Sequence, residues 1–415
     1  MNDEIFNKMG FFKHDGYEFC GMVVKNNGDL EFTVINHYFK SNDDYLLISG
    51  YIDDKKVSFV ILNYSSYYSS AYNREETFLI HSLFVGECFE NFDDIKFKKI
   101  SIKINNISSA MMKLSSFEHK YVGKTKKPYS PLLIQPQDDI VVFCDDFKFK
   151  IRINYFYENL RKLGNGECAN FKEDIRIVIE YDKFQKIHRI TKDSLIIENL
   201  FSFITGKSKI IEINSLDDEL EYIDLILPIV SDEILKNRQH PSAIQLNESN
   251  IGNIIKKWFD NYFQLNYLYN LYFSLDRSNL NPPTLLITYS RILESYHRQR
   301  YEKDNVYLYT RLKELFNDLE RYDFFNKILE RYVGEEDKIS KFSGIVKDNR
   351  NYYTHYNKKK DTVIDGKELM ELNDGLKLII DLILLKEFEF SIDEINEITS
   401  KSNNFRFTNY FSWEY

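Results

Sequence analysis

From about residue 17 to 181 the apolar positions recur with a period of two, the pattern of strands with one face buried. Phe147-Lys148-Phe149-Lys150-Ile151-Arg152-Ile153 alternates strictly, as do residues Ile100 to Ile104. Asn27-Gly28 separates the apolar runs Phe19 to Val24 and Leu30 to Ile35, and both residue types tolerate the positive φ angles of a tight hairpin turn. Further strands are predicted at Tyr45 to Gly50, Val57 to Leu62, Phe78 to Phe84, Ile140 to Phe143 and Ile175 to Tyr181. About nine short strands of this kind predict a sandwich or a pair of small sheets.

After about residue 190 the period becomes that of helices. Leu195, Leu200, Phe201 and Ile204 would line one side of a helix from Ser194 to Ile204. The segment Leu225 to Asn247, with Pro228 and Pro241, reads as a connection, and a long helix follows from about Ile251 to Tyr272. Asn281-Pro282-Pro283-Thr284 predicts a helix start, where a proline's missing N–H costs little. Helices are expected at about 284–301, 306–332 with a break, 335–350 and 366–387. The fold expectation is therefore α+β: a β-rich, sandwich-like domain over 1–225, a helical linker region over 226–280, an all-α bundle over 281–400, and an aromatic tail over 401–415. Phe405, Phe407, Tyr410, Phe411 and Trp413 make that tail poorly suited to water, so it is expected to dock on a groove.

Composition narrows the function classes. The chain has 415 residues, 43% hydrophobic and 16% aromatic, ample for packed cores, and its formal charge is −9. Nucleic-acid binding through bulk positive charge is disfavoured. Cys20, Cys88, Cys144 and Cys168 are far apart and form no C-x-x-C pair, which fits a reducing cytoplasm. Residues 1–10 carry no apolar stretch, and Leu376 to Leu385 is interrupted by Lys377 and Asp381, so neither export nor a membrane span is expected.

Several apparent motifs fail. Gly206-Lys207-Ser208 resembles the end of a phosphate-binding loop, but the earlier glycine position holds Phe201 and the preceding residues read as helix. Asp138-Asp139 and Asp145-Asp146 have no histidine or glutamate at ligand spacing and read as solvated turns. Gly164-Asn165-Gly166 is a loop, and His14, His37, His81, His119 and His188 are scattered through the strand region. No metal site and no cofactor is expected.

One segment stands apart: Asp348-Asn349-Arg350-Asn351-Tyr352-Tyr353-Thr354-His355-Tyr356, an Arg-x4-His spacing with a polar residue directly after the arginine. Ile339, Phe342, Ile345 and Val346 form an apolar helical stripe before it, and Arg350 continues that side, where a charge needs a partner or a wet cleft. His355 lies roughly 140° farther around an uninterrupted helix, so the two converge only if the helix bends or ends near Tyr352 to Thr354. Arg291 and His297 satisfy a looser version of the same spacing. Tyr352, Tyr353, Tyr356 and Lys358-Lys359-Lys360 supply stacking faces and cations that would suit single-stranded RNA. A capped helix end followed by a solvated lysine run explains the same residues.

Arg350-Asn351-Tyr352-Tyr353-Thr354-His355 matches an Arg-polar-x3-His motif, and Leu285 to Arg300 resembles the acidic first helix that precedes it in one family. Over about residues 280–390 the chain resembles the Apea-like HEPN proteins of bacterial anti-phage defence. The β-rich half resembles the domain that precedes HEPN in ApeA proteins, which implies a sensing or regulatory role.

The resemblance implies a metal-independent endoribonuclease that leaves a 2′,3′-cyclic phosphate and a 5′-hydroxyl. An imidazole suits such work at neutral pH, so His355 would be general base or acid, and Arg350 would meet the phosphate as charge builds. Asn351 would orient the histidine or the substrate, and Glu294 would position Arg350 or pair with it structurally. Tyr353, Tyr356, Lys358 and Lys359 are the expected RNA contacts. A site with one histidine lacks a second acid-base group, so a homodimer or higher homo-oligomer through the helical domain is expected. The implied partners are RNA, specifically tRNA, and a phage-derived activator at the N-terminal domain, with no membrane. The competing class is a non-catalytic protein that binds a phage component or RNA, with Arg350 and His355 structural.

Overall fold

The computed structural model describes residues 3–26, 29–35, 39, 44–62, 68–69, 75–111, 139–144, 146–163, 166–206, 208–216, 223–227, 244–247, 249–275, 280–303, 305–334, 337–356 and 360–401, with the side chains of 3, 35, 68, 69, 75, 109 and 154–173 outside that description. The Asn27-Gly28 turn, Asp138, Asp145, Gly164, Asn165, Lys207, Pro228, Pro241, His37, His119, Lys358, Lys359 and the tail beyond Lys401 lie outside the described residues. The chain divides into two compact units, Met1–Pro241 with Gln245–Gly252 and Ser242–Ile244 with Asn253–Tyr415.

The first unit holds strands β1 (Lys8–His14), β2 (Tyr17–Asn26), β3 (Asp29–Ile35), β4 (Tyr45–Ile52), β5 (Lys55–Leu62), β6 (Tyr68–Ser69), β7 (Glu75–Val85), β8 (Lys96–Ile104), β9 (Ile140–Phe143), β10 (Phe147–Leu163), β11 (Gly166–Lys186), β12 (Ile210–Ser215) and β13 (Asp224–Ile226), with helix α1 (Ile187–Thr205) between β11 and β12. The β-rich half expected from the alternation is present, and its form is a closed barrel continuous with an open sheet. Strands run β3-β2-β1-β4-β5-β7, and β7 pairs back to β3, closing a six-stranded antiparallel ring. From the other end of β7 the order continues β13-β12-β8-β11-β10-β9. Alternation alone does not separate a sandwich from a barrel, because both bury every second residue.

Local chemistry explains the closure. Asp15 and Gly16, both at positive φ, link β1 to β2 in a two-residue hairpin with His14 opposite Tyr17. Asn26 faces Asp29 across β2 and β3, so that connection also spans two residues. At Gly50 an added Cβ would stand 2.0 Å from the Phe11 carbonyl, so only glycine lets β1 and β4 approach this closely. Inside, Phe32 lies 5.2 Å from Phe12 and 4.6 Å from Phe59 between ring centroids. Fully burying each such ring contributes roughly 1.5–3 kcal/mol. Helix α1 lays Ile196, Ile197, Leu200 and Phe201 in the interior and ends at Gly206, a left-handed cap at φ 83°. Gly206 therefore closes a helix, not a phosphate loop.

The second unit comprises α2 (Ile251–Gln264), α3 (Asn266–Leu275), α4 (Pro282–Tyr301), α5 (Leu308–Leu319), α6 (Asp323–Tyr332), α7 (Lys338–His355), α8 (Gly366–Glu387) and α9 (Ile392–Lys401). The single long helix expected at 251–272 is broken at Leu265, a fully buried residue. Asn281 caps α4 as its sequence predicts, its side chain accepting from the Thr284 N–H at 3.0 Å. Buried α8 is the central support: Arg300 of α4 makes a two-pronged contact to Glu387, and also donates to Asn261 of α2 at 2.6 Å. No helix among the described residues is long and apolar enough to cross a membrane.

Candidate active site

Helix α7 forms because Ile339, Phe342, Val346 and Asn349 fall on one buried stripe at spacings of three and four. It does not stop near Tyr352 to Thr354 but runs through His355. Tyr356 then caps it in the left-handed region at φ 50°, its N–H returning to the Tyr352 carbonyl at 2.6 Å. Two side-chain bonds hold this last turn: Thr354 Oγ1 donates to the Arg350 carbonyl at 2.7 Å, and the Tyr353 hydroxyl donates to the Ile364 carbonyl at 2.6 Å. An unbroken helix leaves Arg350 and His355 roughly 140° apart, so the convergence that a helix end would give does not occur within one copy.

Arg350 is half-buried at the edge of the α7 stripe. Its Nη1 donates to Asn351 Oδ1 at 3.0 Å, its Nη2 stands 4.0 Å from Glu294 Oε2 on α4, and its buried Nε has no hydrogen-bond partner. Glu294 is shared, because Oε1 accepts from Arg298 Nη2 at 2.7 Å one turn along α4. Glu294, Arg350 and Asn351 are thus brought together, with Arg298 beside them, while His355 is exposed on another side of α7. Asn351 orients Arg350, not the histidine, in this arrangement.

Sequence reasoning missed the residue that fixes the loop after the motif. Asn349 is fully buried, its amide donates to the carbonyls of Ile345 and Thr362 at 2.8 Å each, and its Oδ1 accepts from the Ile364 N–H at 2.9 Å. Next to it, Asp348 accepts from Lys347 and Lys360 at 2.8 Å and from Thr362 at 3.0 Å. Burial works to raise its pKa, but those hydrogen bonds outweigh it and hold the carboxyl below its ordinary value. Residues 360–364 are thereby tied to the last turns of α7. Asn349→Ala breaks three hydrogen bonds and is expected to cost about 2–3 kcal/mol, measured as a lowered urea midpoint.

The sequence matches the Apea-like HEPN family over residues 287–394, a span that holds Glu294, Arg350, Asn351 and His355, and the ApeA N-terminal domain 1 family over residues 7–262. The latter match covers more than half of the chain. The chain belongs to the ApeA family. Neither the curated proteins nor the solved structures give a match.

ApeA proteins form an anti-phage HEPN nuclease family, and HEPN domains are generally ribonucleases that act on RNA and dimerise. Against that background the second Arg-to-His spacing in this ApeA-family chain is informative. His297 is fully buried and stacked on Tyr301 at 4.4 Å, whereas Arg291 is exposed. Arg311 Nη1 donates to His297 Nδ1 at 3.1 Å, and since an arginine cannot accept, the ring proton sits on Nε2, aimed at Glu314 Oε2 at 2.8 Å. Burial lowers the His297 pKa against the opposing pull of Glu314. This histidine joins α4 to α5 and is unavailable to substrate.

Of the expected RNA contacts, Tyr356 is 71% exposed with its ring 5.9 Å from that of Tyr352. Tyr353 is half-buried and its hydroxyl is engaged by Ile364, leaving less of it for a base to stack on. Among the described residues, no three or more His, Cys, Asp or Glu side chains gather where a metal ion could be held.

Proposed function

We propose that the chain is a metal-independent endoribonuclease of anti-phage defence, acting in the cytoplasm on tRNA, whose unpaired anticodon loop offers splayed bases. The observation that carries this reading is Arg350: a half-buried guanidinium with an unpartnered Nε, steered by Glu294 and Asn351, inside the HEPN match. A guanidinium held in place with hydrogen-bonding capacity left over suits an anion whose charge grows during reaction.

The divergence of Arg350 and His355 on one helix supports a site built from two copies. One imidazole takes the proton of the RNA 2′-hydroxyl as that oxygen attacks phosphorus. The bond from phosphorus to the 5′-oxygen breaks, and the second imidazole protonates the departing oxygen, leaving a 2′,3′-cyclic phosphate and a 5′-hydroxyl. Arg350 neutralises the non-bridging oxygens, Glu294 and Asn351 hold its plane, and Tyr353, Tyr356, Lys358 and Lys359 line the RNA path. The N-terminal half holds the nuclease in check until a phage-derived component binds it.

Two measurements test this. Capture and sequencing of cyclic-phosphate ends from cells making the native protein should reveal discrete new tRNA ends during phage challenge; their absence would sink the tRNA reading. Co-expressing an excess of the His355→Ala chain with the native chain is expected to suppress cleavage, because a mixed dimer, seen as particles of two chains by light scattering, holds one imidazole where the reaction uses two. Cleavage that falls only in proportion to the native chain's share, with mixed dimers present, would overturn the two-copy site.

A further inference from the structure

Between the β1–β2 hairpin, β4 and residues 88–93 lies an open groove of about 1140 Å³. Four of its lining residues are aromatic side chains that the fold leaves in solvent: Phe11 at 75% exposure, Tyr51 at 50%, Phe92 at 48% and Tyr45 at 45%. Phe11 and Tyr51 face each other in the β1–β4 register, so their side chains stand as neighbours on the outward face of the barrel. Phe92 comes from the short helical turn Phe92–Asp94. Isolated exposed rings are ordinary, but four lining one groove form a patch that asks for a partner. Barrel packing does not explain Phe11, because the adjacent Phe12 already fills the core.

The polar lining gives the partner's sign. Asp15, Glu18, Glu90 and Asp93 line the groove against a single lysine, Lys13, which sits opposite Glu18 in the β1–β2 register. Asp93 is also met by Lys186 at 2.7 Å and Asp15 stands 3.5 Å from the His14 ring, while Glu18 and Glu90 face the groove beside them. A net negative lining repels phosphates, so RNA and an anionic lipid surface are the wrong occupants. Aromatic faces bordered by carboxylates are the chemistry that takes ammonium and guanidinium groups. The groove also exceeds the roughly 300–1,000 Å³ of most small-molecule sites and is open along one side, which suits a run of residues.

The geometry points to a receptor groove for a basic peptide segment of another protein, its lysine or arginine side chains lying over Phe11, Tyr51 and Phe92 and facing Asp15, Glu18 and Glu90. This deepens the reading that the N-terminal half receives an activator and rests on it only for what binding does; the binding is testable without RNA. The probe is an end-labelled deca-lysine peptide titrated into the full chain at about 0.15 M salt, with deca-glutamate as its control, read by fluorescence anisotropy. Deca-lysine should bind and deca-glutamate should not. Phe11→Ser with Tyr51→Ser, and separately Glu18→Gln with Glu90→Gln, should each weaken binding at least tenfold. Asp323→Asn with Asp393→Asn, which removes two exposed carboxylates on α6 and α9, should leave it unchanged. No binding of deca-lysine, equal weakening by the α6 and α9 pair, or no effect of the aromatic pair would each overturn the groove. Because all four groove residues are exposed, the variants should keep the native melting temperature.

Discussion

Replacing His355 with alanine is expected to lower RNA cleavage by about 10²- to 10⁴-fold while the protein stays folded. The fold should tolerate the change because His355 is exposed at the last position of α7 and makes no hydrogen bond or ion pair among the described residues. The measurement is cleavage of tRNA in vitro, with thermal melting of the same preparation as the folding control. Undiminished cleavage would remove His355 from the reaction. Lost folding would favour the competing reading, in which the motif is structural and the protein binds without cutting.

Arg311→Ala should behave in the opposite way, costing about 3–5 kcal/mol of stability while leaving the chemistry per folded molecule intact. Arg311 is 1% exposed, and its guanidinium donates to the Val306 carbonyl at 2.9 Å, the Lys303 carbonyl at 2.7 Å and His297 Nδ1 at 3.1 Å. Truncation strips partners from all three acceptors in a place water does not reach. The urea midpoint would report it, and an unchanged midpoint would mean that the α4–α5 junction does not depend on this guanidinium. Together the two substitutions test whether His355 works on RNA while His297, held by Arg311, works in packing.

The elements that sequence reasoning located best are those whose signals are local. β9 matches its expected span Ile140–Phe143, and α8 matches 366–387, because flanking acids bound the first and a long apolar stripe defines the second. β1 was missed: exposed Phe11 beside buried Phe12 hides the alternation, and Gly10 weakens it further. β12 and β13 were missed because they follow a helix and pair with β8 and β7, strands more than a hundred residues earlier. The break between α2 and α3 carries neither proline nor glycine to announce it. At the site, Arg350 was legible as a charge on an apolar stripe, and Glu294 only through the family's first helix. Asn349 offered the same signal as Arg350, a polar residue at a core position three after Val346, but its partners lie in a loop whose path no local pattern encodes.

β7 belongs to two architectures at once. Residues Glu75 to Leu79 close the barrel against β3, while Leu83 to Val85 start the open sheet against β13, and no loop intervenes. Barrel and sheet therefore have no seam at which evolution or a protease can part them. A shortened chain that kept the barrel and lost β13 would expose unpaired backbone groups along one end of β7, a template on which further chains could add. For this molecule, shedding its sheet would exchange a folded domain for a nucleus of aggregation.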